Sequence, residues 1–207
     1  MAITDLVVHY GDVIELKDQN FDLKKIQEVL DASPYWVQYN PRKDIKRFGL
    51  SLTSLDGKYS GVPDLDSLRE FNEINGTSYS EKSFRTRTPI VEELSLSKFL
   101  DIWEPWLGRA HFLRLDAGGF FPPHRDNGIA FPPNTIRILV PIRWNKRHAV
   151  WIQDGKILDL EEGQAYFVNT TKEHSLFSYR DGNILLVLNI ITSMETSANV
   201  VRNAKIL

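Results

Sequence analysis

Residues 149–191, AVWIQDGKILDLEEGQAYFVNTTKEHSLFSYRDGNILLVLNII, are the part of the sequence that decides the fold. Short runs rich in β-branched and aromatic residues alternate there with turn residues, among them the dipeptides Asp154-Gly155 and Asp181-Gly182. Aspartate followed by glycine is favoured in tight hairpin turns, because both residues tolerate a positive φ angle. The stretch therefore predicts a series of short antiparallel strands.

The alternation of short strand-like runs with turn residues begins before this stretch, at Arg109, and continues to Ile191. We predict strands over Ala110–Leu115, Thr135–Trp144, Ala149–Gln153, Lys156–Leu160, Gln164–Asn169, His174–Tyr179 and Asn183–Ile191. Strands that recur at intervals of about eight to twelve residues are typical of an antiparallel sandwich or barrel. The second half of the chain thus predicts a jelly-roll type of β structure.

The first half of the chain mixes helices with irregular structure. Helices are predicted over Phe21–Ser33, Pro63–Asn75 and Ser95–Leu107, and a strand over Arg47–Leu55. The first of these helices has Asp22 as its capping residue and Pro34 as its stop. We expect the helices to cover one outer face of the β structure. The chain would then be a single domain with a flanking region at 1–108, a core at 109–191 and a tail at 192–207.

The composition is that of a soluble globular protein, with 42% apolar and 25% charged residues. A net charge of -2 argues against a general nucleic-acid binder, which needs a basic excess. The absence of cysteine excludes thiolate zinc sites, iron–sulfur clusters and cysteine nucleophiles. The first residues do not resemble a signal peptide, and the longest apolar run, Ile184–Ile191, is too short to span a membrane. We therefore expect a cytoplasmic protein.

Two of the five histidines stand in a context that suggests metal chemistry. His124 and Asp126 are two residues apart, so in extended chain their side chains point to the same side. His174 begins a predicted strand two hairpins later, and in an antiparallel barrel that strand can return beside the first. Two histidines and one carboxylate form the facial triad of non-haem Fe(II) oxygenases. We predict that these three residues bind the metal and are catalytic.

Other interpretations of these residues stay open. The His124–Asp126 pair by itself also fits a solvated ion pair in a surface loop. The remaining histidines have structural explanations: His9 lies near the N-terminus, His148 lies in a charged turn, and His111 shares a strand face with leucines.

Arg137 is the single charged residue in the apolar run 135–142. An unpaired buried charge is very costly, so this arginine must be paired or functional. An oxygenase that consumes 2-oxoglutarate needs a fixed cation for the distal carboxylate, which an arginine can bind through two hydrogen bonds. We predict this role for Arg137, with a structural ion pair as the alternative. Arg180 is a second candidate, but a solvated turn residue explains it more simply.

Four segments together resemble a known family. They are residues 114–126 (RLDAGGFFPPHRD), 136–141 (IRILVP), 162–169 (EGQAYFVN) and His174. Their order is similar to that of the aspartyl/asparaginyl hydroxylase-like group of 2-oxoglutarate/Fe(II) dioxygenases, which includes bacterial free-proline hydroxylases. The resemblance covers about residues 109–191. It implies a mainly β protein with flanking helices, whose core is a double-stranded β-helix (a cupin-like jelly roll), and iron on His124, Asp126 and His174.

The sequence departs from the pattern of this family at two positions. Aspartyl/asparaginyl β-hydroxylases lack the metal-binding carboxylate that Asp126 provides here, so the resemblance is closer to the amino-acid hydroxylase branch. The family also places an arginine on the strand after the distal histidine, where this chain has Asn183. An amide can donate a hydrogen bond to a carboxylate but cannot neutralise it. Three explanations stay open: Arg137 or another basic residue supplies the charge, a shifted loop register brings in Arg180, or the cosubstrate differs. We favour Arg137 for the 2-oxoglutarate carboxylate, with Asn183 and Tyr166 as further cosubstrate-binding residues.

The resemblance implies a dioxygenase that uses Fe(II), 2-oxoglutarate and O₂ to hydroxylate an amino acid or an amino-acid side chain. The segment Asn127–Asn134 would be a substrate lid or an ordinary connecting loop. Aromatic side chains at Phe120, Phe121, Phe131 and Tyr166 would line the substrate pocket or simply pack. Two other functions remain open: a cupin-type metal isomerase or oxygenase that does not use 2-oxoglutarate, and a non-catalytic jelly-roll binding module.

Overall fold

A computed structural model describes residues 2–40, 44–126 and 135–205 of the chain. The helices are α1 (Ile3–Tyr10), α2 (Leu23–Ala32), α3 (Leu68–Asn75), α4 (Ile90–Glu93), α5 (Ser97–Asp101) and α6 (Met194–Asn203). The strands are β1 (Val13–Glu15), β2 (Val37–Gln38), β3 (Arg47–Ser51), β4 (Thr53–Ser54), β5 (Thr86–Arg87), β6 (Leu107–Leu115), β7 (Phe120–His124), β8 (Thr135–Arg143), β9 (Ala149–Gln153), β10 (Lys156–Ile157), β11 (Tyr166–Val168), β12 (His174–Ser178) and β13 (Asn183–Ile191). Short turns of 3₁₀-helix lie at Glu81–Ser83 and Glu104–Trp106.

The strands from β6 to β13 form two antiparallel sheets. The larger sheet contains them in the order β11-β8-β13-β6, and the smaller in the order β10-β9-β12-β7. The chain crosses from one sheet to the other at nearly every connection, which winds the strands into a double-stranded β-helix. The predicted cupin-like jelly roll is therefore confirmed. Three of the earlier strands widen the larger sheet: β1 pairs with β11, and β3 with β2 extends the edge beyond β6.

The two faces of the larger sheet pack against different partners, because neighbouring residues of a strand point to opposite faces. One face, with Phe112, Ile138 and Leu186, is buried against the helices. The other face, with Leu113 and Leu185, packs against the smaller sheet through residues such as Trp151 and Leu176. The expectation that helices cover an outer face is confirmed, and the space between the sheets is the interior of the jelly roll.

Several predicted elements agree with the structure and others differ in length. Strands β9 and β13 have the predicted bounds. The predicted helix Ser95–Leu107 is much shorter, since Pro105 falls in the following 3₁₀ turn and Leu107 already belongs to β6. The predicted tail 192–207 contains helix α6, which begins at the cap Ser193.

The two Asp-Gly dipeptides have different roles. Asp154-Gly155 makes the tight turn between β9 and β10, with positive φ angles of 48° and 74°. Asp181-Gly182 instead joins β12 to β13, which lie in opposite sheets, so the predicted hairpin at this point is wrong. Sequence alone cannot distinguish a turn within one sheet from a turn between two sheets.

Across the described residues, no helix has both the length and the apolar character needed to cross a bilayer.

Candidate metal centre

Three side chains meet at one end of the jelly-roll interior. His124 ends β7 and His174 begins β12, and these two residues are direct partners in the antiparallel pairing of the two strands. Asp126 follows two residues later, where its backbone N–H donates to the carbonyl oxygen of Thr170 at 2.9 Å. The pairing therefore brings together the residues that sequence analysis predicted as a metal-binding set.

The three donor groups are close enough to share one ion. A ligand atom from each of His124, Asp126 and His174 lies within 4.8 Å of the other two. The centres of the two imidazole rings are 4.2 Å apart, and Nε2 of His124 lies 3.7 Å from Oδ1 of Asp126. Two imidazole nitrogens and one carboxylate oxygen are a donor set suited to iron.

Both histidines are oriented by the same local hydrogen bond. Nδ1 of His124 donates to the carbonyl oxygen of Pro122 at 2.7 Å, and Nδ1 of His174 donates to that of Lys172 at 3.1 Å. A proton on Nδ1 leaves the lone pair on Nε2 available for a metal. Burial lowers the pKa of His174, against the opposing charge of Asp126, and so favours the neutral form that metals require.

Arg137, on β8, binds the carboxylate of this set. Its Nε and Nη2 donate to Oδ2 of Asp126 at 3.0 and 2.9 Å. Burial has the largest effect on the pKa of Asp126 and raises it, but Arg137, together with the two histidines and Thr170, outweighs burial, and the pKa is lowered. Asp126 is thus held as a carboxylate, with Oδ2 bound by Arg137 and Oδ1 on the side of His124.

A line of polar groups continues from Arg137 away from the three donors. Nη1 of Arg137 donates to Oδ1 of Asn189, whose Nδ2 donates to Oε2 of Glu81 at 3.2 Å. Oε1 of Glu81 accepts from Nη2 of Arg109 at 2.7 Å. Burial would raise the pKa of Glu81, but Arg109 lowers it below its usual value. Opposite charges therefore alternate from Arg109 through Glu81 and Arg137 to Asp126.

The three donors open onto a cavity of about 340 Å³ between the two sheets. Its wall also includes Arg47, Arg109, His111, Leu139, Trp151 and Val187. The ring of Trp151 stacks on that of His174, with centres 5.6 Å apart and an angle of 12° between the planes. A volume of this size fits a small organic molecule.

Not all predicted cosubstrate residues reach this cavity. The guanidinium of Arg137 does lie on its wall and forms an ion pair with Asp126, the contact that the structural alternative predicts. Its role in cosubstrate binding stays a prediction. Asn183 donates to the hydroxyl of Ser178 at 2.8 Å and lies outside the cavity wall. Tyr166, likewise outside the wall, accepts from the backbone N–H of Glu161 at 3.0 Å. The direction of these side chains and the partners they bind depend on how the strands pack against each other. The pattern of apolar and polar residues within one strand does not specify this.

The other predicted pocket residues have mixed outcomes. Phe121 lines the cavity, whereas Phe120 does not. Arg180 is exposed, in agreement with a solvated turn residue. The proposed lid Asn127–Asn134, which includes Phe131, falls outside the described residues.

Sequence analysis missed four residues of the site and its surroundings. Arg47 and Arg109 lie on the cavity wall, and Glu81 and Asn189 complete the line of polar groups. The signal available for Asn189 was its place in the apolar run of β13, the same signal that singled out Arg137. Glu81 carries no such signal, since it lies in a short polar turn far from β6 in sequence.

The fold and the site together define a cupin-like jelly-roll protein with a candidate metal centre of two histidines and one aspartate. No protein-family model matches the chain, and no curated protein matches it either. Among solved structures, the chain resembles a mutant of salicylate 1,2-dioxygenase from Pseudoaminobacter salicylatoxidans, with 19% identity and a TM-score of 0.31 over 42% of this chain and 22% of that one.

Two further solved structures show a similar degree of likeness. KdgF from Halomonas sp. is 15% identical, with a TM-score of 0.33 over 44% of this chain and 74% of that one. The DMSP lyase DddQ from Ruegeria pomeroyi DSS-3 is 20% identical, with a TM-score of 0.32 over 41% of this chain and 38% of that one. This chain spans under a quarter of the length of the dioxygenase. No activity follows from likenesses at this level.

Proposed function

We propose that the chain is a Fe(II)-dependent oxygenase of a small organic substrate, with His124, Asp126 and His174 as the metal ligands. The observation that supports this most is the convergence of two imidazole nitrogens and one carboxylate oxygen on the wall of a cavity. Two histidines and one carboxylate leave coordination positions open for other ligands. Bound iron supplies the electron-transfer chemistry by which O₂ reacts with an organic molecule.

The residues around the donors each have a defined part in this proposal. Arg137 keeps Asp126 ionised and fixes the oxygen that faces the histidines. The carbonyl oxygens of Pro122 and Lys172 hold the imidazoles in the tautomer that binds metal. Apolar side chains such as Leu139 form part of the cavity wall and limit the water that reaches a bound substrate.

A narrower candidate is 2-oxoglutarate-dependent hydroxylation of an amino acid. The sequence resemblance favours it, and the residues that line the cavity include three arginines: Arg47, Arg109 and Arg137. Both 2-oxoglutarate and amino acids carry carboxylates, which arginine binds well. An oxygenase that needs no 2-oxoglutarate is the competing candidate.

Metal binding is the first test. Purified protein is titrated with Fe(II) without oxygen in a calorimeter, and one ion per chain is expected. His174→Ala removes one ligand, so affinity should fall by at least about 100-fold, while His9→Ala, at an exposed histidine on α1, should bind as the wild type does. Near-UV circular dichroism checks that the fold is retained. Wild-type affinity in His174→Ala would reject the site.

Turnover separates the candidates. With Fe(II) and O₂ present, release of succinate from 2-oxoglutarate in the wild type, absent in His174→Ala, supports the narrower function. Oxygen consumption with a substrate panel but without succinate supports an oxygenase of the other kind. A non-catalytic binding module predicts that neither Fe(II) nor 2-oxoglutarate raises the melting temperature, because only a specific ligand stabilises the folded state by mass action.

A further inference from the structure

A third histidine, outside the metal-binding set, lines the same cavity as the candidate metal ligands. His111 lies on β6, and its residue surface is only 3% exposed. Leu113, two residues along the same strand, also lines the cavity, as the alternation of side chains in a strand requires. A buried histidine is ordinarily held by hydrogen bonds from its ring to neighbouring groups.

The ring of His111 lacks such a partner at one nitrogen. Its Nδ1 is buried and makes no hydrogen bond to any residue that the structure describes. A buried polar atom without a partner destabilises the folded protein. A ligand in the cavity that hydrogen-bonds to this imidazole would remove that cost, so the ring itself points to a bound group.

The ring is also uncharged. Burial, followed by the charges of Arg137 and Arg109, holds the pKa of His111 well below its usual value. A neutral imidazole has one nitrogen that donates a hydrogen bond and one that accepts. Both arginines are already in ion pairs, with Asp126 and Glu81 respectively. The partner that suits this ring is an uncharged group that can both donate and accept, as a hydroxyl group does.

The neighbouring strands place apolar side chains beside His111. Val187 is its direct partner on β13, Leu139 is the partner of Val187 on β8, and all three residues line the cavity. In such a pocket, one polar group among apolar ones fixes the orientation of a ligand. The ligand that fits this part of the wall has an apolar body and a hydroxyl group directed to His111.

Aromatic rings connect this part of the wall with the candidate metal centre. The centre of the Tyr39 ring lies 5.3 Å from that of His111 and 5.7 Å from that of Phe121. The Phe121 ring in turn stacks on that of His124, with centres 6.1 Å apart. His111 and the metal donors therefore lie on the wall of one cavity, within the reach of a single small molecule.

We propose that His111 binds a hydroxyl group of a small, otherwise apolar ligand that occupies this cavity. The hydroxyl site rests on His111 and its neighbours, whereas the role of the ligand as a substrate of oxidation rests on the proposed function. His111 is then a residue that determines specificity, because it distinguishes an alcohol from a hydrocarbon of the same shape.

The first experiment observes the ring directly in metal-free wild-type protein. Benzyl alcohol and ethylbenzene have nearly the same shape and differ in one hydroxyl group. Nitrogen NMR of the histidine rings follows the addition of each compound at millimolar concentration, and His111→Asn identifies the signals of His111 by their absence. Benzyl alcohol should shift these signals much more than ethylbenzene does. Equal shifts, or no shift with benzyl alcohol, overturn the proposal.

The second experiment measures the affinity of variants for the same two compounds. His111→Phe keeps a flat ring without a polar atom, so its preference for benzyl alcohol over ethylbenzene should be about 3- to 10-fold weaker than in the wild type, the range for one neutral hydrogen bond. His111→Asn should retain part of the preference. His9→Phe, at an exposed histidine on α1, should leave it unchanged. Equal preference in wild type and folded His111→Phe means that the histidine serves the fold alone and overturns the proposal.

The hydroxyl site and the proposed function can fail separately. If Fe(II) does not bind but benzyl alcohol shifts the signals of His111, the proposed function fails and the hydroxyl site stands. If one Fe(II) binds per chain while benzyl alcohol leaves these signals unchanged, the proposed function stands and the hydroxyl site is rejected.

Discussion

Arg137 binds only one of the two carboxylate oxygens of Asp126. Nε and Nη2 of the arginine donate to Oδ2 at 3.0 and 2.9 Å, while Oδ1 lies 3.7 Å from Nε2 of His124. One carboxylate therefore serves two neighbours, Arg137 on the larger sheet and His124 on the edge strand β7 of the smaller sheet. The ion pair links the two sheets at the end of the jelly roll where the cavity lies.

This ion pair predicts that Arg137 controls metal affinity. Arg137→Gln removes the charge that keeps Asp126 ionised and oriented, so Fe(II) affinity should fall about 10- to 100-fold. Arg137→Lys should lose less, because it keeps the charge without the paired hydrogen bonds. Arg143→Gln is the matched control, since this arginine ends the same strand and pairs with Asp31 at the surface. Anaerobic calorimetry measures all four proteins, and equal affinities would contradict the assigned role.

The pairing of Glu81 with Arg109 predicts a large effect on stability. Their side chains are only 17% and 15% exposed. Glu81→Gln leaves the buried charge of Arg109 without its acid, so the free energy of unfolding should fall by about 2 to 3 kcal/mol. Glu28→Gln removes an exposed partner of Lys24 and should cost less than about 1 kcal/mol. Urea unfolding gives both values, and a similar small loss in each would refute the prediction.

Asp64 predicts an unusual dependence of stability on pH. Burial raises its pKa from 3.8 to about 6, against the hydrogen bond from Ser51. Between pH 4 and 6, Asp64 is therefore protonated in the folded state but ionised in the unfolded chain. Over this range its titration lowers the free energy of unfolding as the pH rises. Asp64→Asn should therefore be more stable than the wild type by about 1 to 3 kcal/mol at pH 7.5 and equal to it at pH 4.

The control for this prediction is Asp56→Asn, at a half-exposed aspartate that pairs with Lys58. It should show no gain at either pH. Urea unfolding at pH 4 and pH 7.5 gives the free energy of unfolding of each variant and of the wild type. If Asp64→Asn is more stable than the wild type by the same amount at both pH values, the titration of Asp64 is not the cause of the difference.

The glycine pair before β7 predicts two different costs. A Cβ at Gly119 would lie 2.3 Å from the carbonyl oxygen of Lys46, so Gly119→Ala must displace β7 from β3. Gly118 has a φ of 84° with open space around it, and Gly118→Ala should cost about 1 to 2 kcal/mol of backbone strain. We expect Gly119→Ala to cost at least about 3 kcal/mol and also to weaken Fe(II) binding, because β7 carries His124. Both variants are melted in a calorimeter. If Gly118→Ala loses more stability than Gly119→Ala, the close approach of residue 119 to the carbonyl oxygen of Lys46 does not limit the side chain there.

Much of the jelly roll was predictable because strand signals are local. The alternation of apolar residues and the Asp154-Gly155 turn place β9 to β13 within a few residues of their observed bounds. Helix α6 was missed, although Ser193 lies before it and accepts a hydrogen bond from the N–H of Thr196 as an N-cap. A run with so few large apolar residues gives only a weak helical periodicity.

The candidate metal ligands were also predictable, but their surroundings were not. His124 and Asp126 have a spacing that favours a shared direction, and this depends on extended backbone alone. Arg137 was singled out as a buried charge that must be paired or functional, and the structure pairs it with Asp126; its predicted contact with a cosubstrate stays a prediction. The choice between these partners depends on how two sheets lie against each other, which no single strand specifies.

The amino-acid sequence by itself determined where most strands of the jelly roll run, although not β7, and that two histidines and an aspartate could converge. Only the tertiary structure decided that Arg137 holds the aspartate, that Glu81 balances Arg109, and that Arg47 reaches the cavity from an added strand. The physical reason is that periodicity and turn chemistry act between residues close in sequence. Buried charges select their partners across sheets, where low polarity makes each unpaired group costly.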